Sequence, residues 1–446
     1  MKKRISKKWS GGLICLVLTV LIIVISYQKI PQLESWRQLP SDVKWLMLEL
    51  ETERLFFRIF PPDPHPEQYA HLHPEVLKKA VVLGADWILS MQEPSGRFQY
   101  WYDPVSNRFS EAHDDNFLRQ AGTGFSLMMV YELTGDPRYL NSSKQNLQHL
   151  QKFLKNLPPD KAYYLYNQKA KLGGISLPML TMLKLREFTG SQEYDILLKK
   201  LANMILTLQE QYQTGQYKST YVYRGDYEYE KKKGWESKIY PGEAMLALAG
   251  MYQAFQDPRY KNSIDQALGF YAKNAEFENS QAFLPWTISA FTSLYLQTRE
   301  AHYAKYVIKL TNLMLREQNL DHKDKVYGSF HGVPAINTSA YLEGLADAFL
   351  LAQTAGNTHH QQLYADRLKM GYRWILLLQH TKDSPQLPNP QQAIGGFQGS
   401  LHQARQRIDN TQHSIVALTK GLRYLYNTPP AVSPAPSDQS SPSGLQ

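Results

Sequence analysis

Carboxylates, guanidinium groups and an imidazole recur where the apolar segments of this chain begin. The first cluster reads Glu111-Ala112-His113-Asp114-Asp115-Asn116-Phe117-Leu118-Arg119. Asp115 and Arg119 are four apart, which on a helix puts them on one face. A carboxylate beside a guanidinium can orient a sugar hydroxyl or serve as a base. Adjacent Asp114 feels like-charge repulsion, the condition that prepares a general acid, and Asn116 can bind hydroxyls beside it. The structural alternative is that one of the aspartates simply caps a helix.

Two further clusters extend the set. Glu243 follows Pro241 at a helix start, where acidic residues are ordinary, but it also suits the second carboxylate opposite Asp115. Two carboxyl groups about 5–9 Å apart are what glycoside hydrolysis needs. Arg407, Asp409 and His413 form the third cluster. Asp409 with Gln412 fits a relaxed capping box, and His413, one turn on, can pair with Asp409 as an oriented acid/base. His331 stands in a loop, Ser329-Phe330-His331-Gly332, before the fifth apolar segment. Aromatic residues are abundant, with 29 Tyr, 17 Phe and 8 Trp. They concentrate in loops around Tyr102, around Tyr163–Tyr166, and from Tyr217 to Tyr240. The last loop contains Tyr223, Arg224 and Trp235, and Trp286 opens another apolar segment. Such rings stack on sugars and their hydroxyls bond to sugar hydroxyls.

The segments that must position these groups fall into two alternating classes. Asn116–Thr134, Gly174–Thr189, Pro241–Phe255, Pro285–Thr298, Asn337–Thr354 and Asp409–Tyr426 are apolar nearly all round. The segments near Val76–Gln92, Tyr139–Asn156, Tyr194–Tyr212, Tyr260–Asn274, Tyr303–Gln318 and Leu363–Gln379 carry apolar residues at three- and four-residue spacing, one buried stripe each. This alternation predicts an all-α chain in which six buried helices form an inner ring and six amphipathic ones an outer ring: an (α/α)6 toroid of six helical hairpins. An open solenoid of hairpins is the competing architecture. In the toroid the inner helices run the same way, so their N-termini share one mouth, which favours an anionic or polyhydroxylated ligand.

With its Thr134-Gly135-Asp136-Pro137-Arg138-Tyr139 type of turn and helix starts such as Tyr240-Pro241-Gly242-Glu243, the chain resembles the six-hairpin glycosidase-like superfamily over residues 70–427. The Asp114-Asp115 pair resembles that of bacterial endo-mannanases of this superfamily. Arg407-Ile408-Asp409-Asn410-Thr411-Gln412-His413, after Gly395-Gly396-Phe397, resembles the helical domain of uronyl C5-epimerases. The resemblance implies action on carbohydrate.

Residues 1–28 carry Lys2, Lys3, Arg4, Lys7 and Lys8 before the uncharged apolar run Gly11–Tyr27, which reads as a transmembrane signal anchor with the main domain on the far side. A cleaved signal peptide is the alternative. Residues 29–70 read as a connector, 71–427 as the toroid, and 428–446 as a disordered Pro/Ser-rich tail. The formal charge is +9, of which the five basic residues before the anchor supply +5, so the remainder is too mildly basic to argue for nucleic acid. Cys15, inside the anchor, is the chain's one cysteine, so no disulfide or thiolate metal site forms in the exported part. No phosphate loop, zinc-ligand spacing or nucleophile elbow is present, and neither metal nor cofactor is expected. The expected function is a membrane-anchored periplasmic or extracellular glycoside hydrolase of envelope or secreted polysaccharide. The alternatives are a uronic-acid C5-epimerase or lyase, and a non-catalytic glycan-binding subunit working with envelope polysaccharide assembly proteins.

Overall fold

The computed structural model describes residues 65–222, 236–330, 335–384 and 387–435. The expected anchor and most of the connector lie outside these residues. No helix within them is long and apolar enough to cross a membrane.

Twelve helices of 13 to 20 residues organise the described chain. They are α1 (Pro74–Ser90), α2 (Phe117–Thr134), α3 (Pro137–Gln151), α4 (Leu172–Thr189), α5 (Asp195–Glu210), α6 (Tyr240–Phe255), α7 (Pro258–Tyr271), α8 (Leu284–Thr298), α9 (Ala301–Leu315), α10 (Ala335–Thr354), α11 (Thr358–Leu376) and α12 (Ile408–Lys420). The even-numbered helices are those whose sequences are apolar nearly all round. Each packs on the next, α2 on α4, then α6, α8, α10 and α12, and α12 returns to α2, so the ring closes. The odd-numbered helices bury one stripe against this ring, and α1 covers α12, bringing the two ends of the domain together. The (α/α)6 toroid predicted from the alternation is the observed architecture, and the open solenoid is excluded.

Local chemistry sets the hairpin turns. α2 ends on Gly135 at φ 70°, a left-handed position that glycine adopts without steric penalty. The next helix starts at once because the Asp136 side chain accepts from the Arg138 backbone N–H, with Pro137 in the first turn. The same device recurs at Asp257-Pro258-Arg259. Each such cap is worth about 1 kcal/mol.

Short strands line the mouth. β1 (Trp101–Asp103) pairs with β2 (Arg108–Phe109) and with β8 (Gln403–Arg407), which pairs with β7 (Gln398–Ser400). The register sets Trp101 opposite Arg407, tying the loop before α2 to the loop before α12. β3 (Leu154–Leu157) pairs with β4 (Lys161–Tyr164), and β5 (Lys169–Lys171) with β6 (Thr220–Val222).

The tail departs from expectation. Residues 428–435 are not loose: Ala431 and Val432 donate backbone N–H groups to the Glu132 carbonyl, and Ala435 donates to that of Glu187. These carbonyls belong to the last turns of α2 and α4, where no intrahelical donor remains. The segment caps them.

Candidate active site

A single hollow receives side chains from all six inner helices. Leu118, Arg119, Gly122, Phe125 and Ser126 come from α2, Leu177 from α4, Glu243 from α6, Trp286 from α8, Glu343 from α10, and Gln412, His413 and Val416 from α12. Most lie toward the N-terminal ends of their helices. The open space between them is narrow, about 20 Å³, room for one water molecule.

Glu243 sits in the fourth position of α6, 4% exposed, and its Oε2 has no hydrogen-bond partner among the described residues. Burial pushes its pKa up to about 7, with the Arg119 charge opposing. A carboxyl group so placed holds its proton near neutrality, as a general acid must. Gly173 makes room for it, since a Cβ there would come within 2.1 Å of Oε2. Tyr240, at the start of α6, is pushed up to about 12 by burial and by the Glu243 charge.

His413 is oriented from across the ring. Its Nδ1 lies 2.6 Å from Glu343 Oε1, and its ring stands edge-on to Trp286 with centroids 6.2 Å apart. With Nδ1 engaged by a carboxyl group, Nε2 is the nitrogen suited to proton transfer.

Asp409 is fully buried. Arg407 donates to it through both Nε, at 2.7 Å, and Nη2, and Arg119 Nε forms an ion pair with it at 2.9 Å. Burial alone raises its pKa, but the Arg407 hydrogen bonds and the Arg119, Arg407 and His413 charges outweigh this and hold it below the usual carboxylate range. Asp409 is therefore an anionic pivot that fixes two guanidinium groups.

Asp115 does not share a helix face with Arg119. Asn116 takes the N-cap of α2, accepting from Leu118 N–H at 3.1 Å, so Asp115 falls outside the helix. It accepts instead from Arg97 Nε at 3.3 Å and Gln120 Nε2 at 2.7 Å, while Arg119 turns to Asp409. Asp115 and Asn116 line a neighbouring groove rather than the hollow. Asp114 accepts from the Glu111 backbone N–H and lines neither. His413 takes Glu343, not Asp409, as its hydrogen-bond partner. Asp409 and Gln412 form no capping box, for Gln412 accepts from Thr123 Oγ1 at 2.8 Å. Tyr102 is buried, with its hydroxyl on Asn107 and its ring on Phe109. Tyr223, Arg224, Trp235 and His331 lie outside the described residues.

The structure thus unites Arg119, Glu243, Trp286 and His413 in one hollow, with Arg407 and Asp409 behind Arg119. Glu343 was missed. Its signal was a carboxylate in the middle of an otherwise apolar segment, with Asp347 four residues on. Among the described residues no three His, Cys, Asp or Glu side chains gather as a metal site requires.

No family model matches the sequence, and no curated protein matches it significantly. Solved structures do match in shape. A GH76 α-mannanase of Bacteroides thetaiotaomicron superposes with a TM-score of 0.57 at 10% identity, over 81% of this chain and 99% of that one. An unsaturated glucuronyl hydrolase specific for heparin gives 0.54 at 11%, over 80% and 99%. A cellobiose 2-epimerase from Bacillus thermoamylovorans gives 0.58 at 9%, over 77% and 98%. The chain is a six-hairpin toroid. At these identities the likeness is one of fold, and what the toroid does rests on its hollow.

Proposed function

We propose that this chain is a carbohydrate-active enzyme, a glycoside hydrolase exported and anchored through Gly11–Tyr27, acting on envelope or secreted polysaccharide. The observation that carries the reading is the pairing, in one hollow, of a carboxyl group that keeps its proton with an imidazole oriented by a second carboxyl group. Glu243 donates its proton to the glycosidic oxygen as the C–O bond breaks. His413, held by Glu343, takes a proton from the water that attacks the anomeric carbon. The space at the floor suits that water, so the sugar lies above it, toward the mouth. Arg119, fixed by Asp409, is available to a sugar hydroxyl or to developing negative charge. That toroids of this shape include a mannanase and a glucuronyl hydrolase supports a sugar substrate.

The imidazole favours a second reading, epimerisation, in which the same two groups remove and return a carbon-bound proton. Purified protein incubated with oligosaccharides separates the two. Reducing-end release, lost by at least 100-fold in Glu243→Gln and in His413→Ala, is the expected result. Deuterium uptake from heavy water without chain cleavage would identify an epimerase. Glycan binding with no turnover, unaffected by either substitution in vivo, would make the chain a binding subunit and overturn the enzyme reading.

A further inference from the structure

Beside the hollow lies a second, wider depression of about 250 Å³, close to the range of small-ligand sites. The two share Leu118 as a common wall. Its floor is the start of α4, one side is the turn between β4 and β5 with Tyr164, Tyr166, Asn167, Lys169 and Lys171, and the other is the start of α2 with Asn116.

Three features give this groove a chemical preference. The first is charge. Lys169 and Lys171 line it, and the Arg119 charge reaches Lys171. The carboxylate in its wall, Asp115, is already committed to Arg97 and Gln120. Burial, Lys169 and Arg119 all push the Lys171 pKa down, so an anion placed there would relieve like-charge crowding. The N-terminal end of α4 adds positive potential of its own, and Lys171 at its N-cap supplies no side-chain cap.

The second is an unfilled hydrogen-bonding group. Tyr164 is 1% exposed, and its hydroxyl has no hydrogen-bond partner among the described residues. Buried hydroxyls are nearly always partnered.

The third is the shape of the turn between β4 and β5. Asn167 and Gln168 both stand at positive φ, 47° and 62°, which few side chains tolerate. That turn sets Tyr166 across a bridge from Lys169, and the Tyr166 hydroxyl reaches the Asp115 carbonyl at 3.5 Å. A ring and a cation are thereby held side by side on the groove wall.

We propose that this groove is a subsite for an acidic sugar, whose carboxylate or sulfate ester is held by Lys171 while its ring lies on Tyr166. The proposal rests on the reading of the hollow as a sugar-processing site and names the substrate class: an anionic polysaccharide whose charged unit adjoins the unit under attack.

The test uses the full chain carrying Glu243→Gln, so that binding is read without chemistry. Calorimetry compares size-matched neutral, uronate-bearing and sulfated oligosaccharides. Expected is tighter binding of at least one acidic series. Lys171→Met, which keeps the buried stem, should weaken that binding about tenfold. Binding of neutral oligosaccharides should stay within twofold, and Lys171→Arg should restore much of the loss. In the chain with Glu243 intact, Lys171→Met should raise KM for the acidic substrate and leave kcat alone. Response to uronates alone assigns a carboxylate, to sulfated sugars alone a sulfate, and to both a general anion site. No preference for acidic sugars, or an equal loss for neutral and acidic ones in Lys171→Met, overturns the subsite even if the hollow hydrolyses neutral glycans. If the acidic preference holds but Glu243→Gln retains turnover, the subsite stands and the assignment of the hollow's acid fails.

Discussion

Glu243 is a carboxyl group held where its charged form is disfavoured. Unfolded, it titrates near 4.5; folded, burial raises it to about 7. The sign follows from linkage. A raised folded pKa gives stability that is fully present below 4.5, declines as pH rises through 7, and is absent above. The span is on the order of 3 kcal/mol. Denaturant unfolding of the wild type and of Glu243→Gln at pH values from 4.5 to 8 should therefore diverge, the variant gaining on the wild type as pH rises. A difference that stays constant across that range would mean that Glu243 is not buried as a protonated acid. The same titration limits activity: hydrolysis should decline as pH passes about 7 and the acid loses its proton. Asp409 is the contrast. It is equally buried, but two guanidinium groups keep it anionic, so it orders Arg119 and Arg407 and has no proton to give.

Helices bring these residues together, and small residues on one helix admit large ones from the next. Gly173, on α4, is the closest case. A methyl group there would stand 2.1 Å from Glu243 Oε2, 2.9 Å from Tyr240 Cδ1 and 3.1 Å from Leu118 Cδ2. Gly173→Ala should therefore destabilise the fold by about 1–3 kcal/mol and displace the acid. Kinetics should show a loss in kcat exceeding that of Gly174→Ala, where the nearest atom would be 3.4 Å away. Equal kinetics for the two would remove Gly173 from the site. The helices themselves were legible in the sequence, because a segment apolar all round and one with a single stripe bury different areas. Thus Asn116–Thr134 and the observed Phe117–Thr134 nearly coincide. The partners within the hollow were not legible. Spacing reports which residues share a face of one helix, but His413 meets Glu343 across 70 residues of sequence, and Arg119 meets Asp409 from the opposite end of the domain. Periodicity also assigned the stretch around Glu343 to the core, which is correct of the helix and silent about the one side chain aimed at the hollow. The Tyr-rich loops read as surfaces for stacking; instead Tyr163 and Tyr164 are buried on opposite faces of strand β4, Tyr163 against Tyr221 and Tyr164 against Phe117.

A closed ring has no terminal unit, so its stability depends on the seam where first and last segments meet. That seam is α12 between α10 and α2, with α1 outside it. Polar ties secure it: Thr123 to Gln412, Ser339 to Ser414 at 2.8 Å, and the buried Lys420–Asp347 pair at 2.6 Å. Past α12 the chain forms a π-helical turn, Gly421–Leu425, and then crosses the ends of α2 and α4. Residues 428–435 donate to helix-end carbonyls that water would otherwise have to satisfy, and Ala431 and Ala435 pack on Gly135 and Gly190. The segment links the seam to two inner helices on the side of the ring away from the hollow. A chain ending at Asn427 should unfold with a midpoint a few degrees lower, reflecting about 1–3 kcal/mol from the lost backbone bonds, and its α2 and α4 ends should exchange amide hydrogens faster. A chain ending at Ala435 keeps every one of these bonds and is the control. Since the segment touches the far ends of α2 and α4 and no residue of the hollow, turnover per folded molecule should be equal in both. If the shorter chain melts at the same temperature as the control, the seam holds without the strap; if it loses kcat while still folded, the two ends of the ring are coupled through α2, and the hollow is tuned from below.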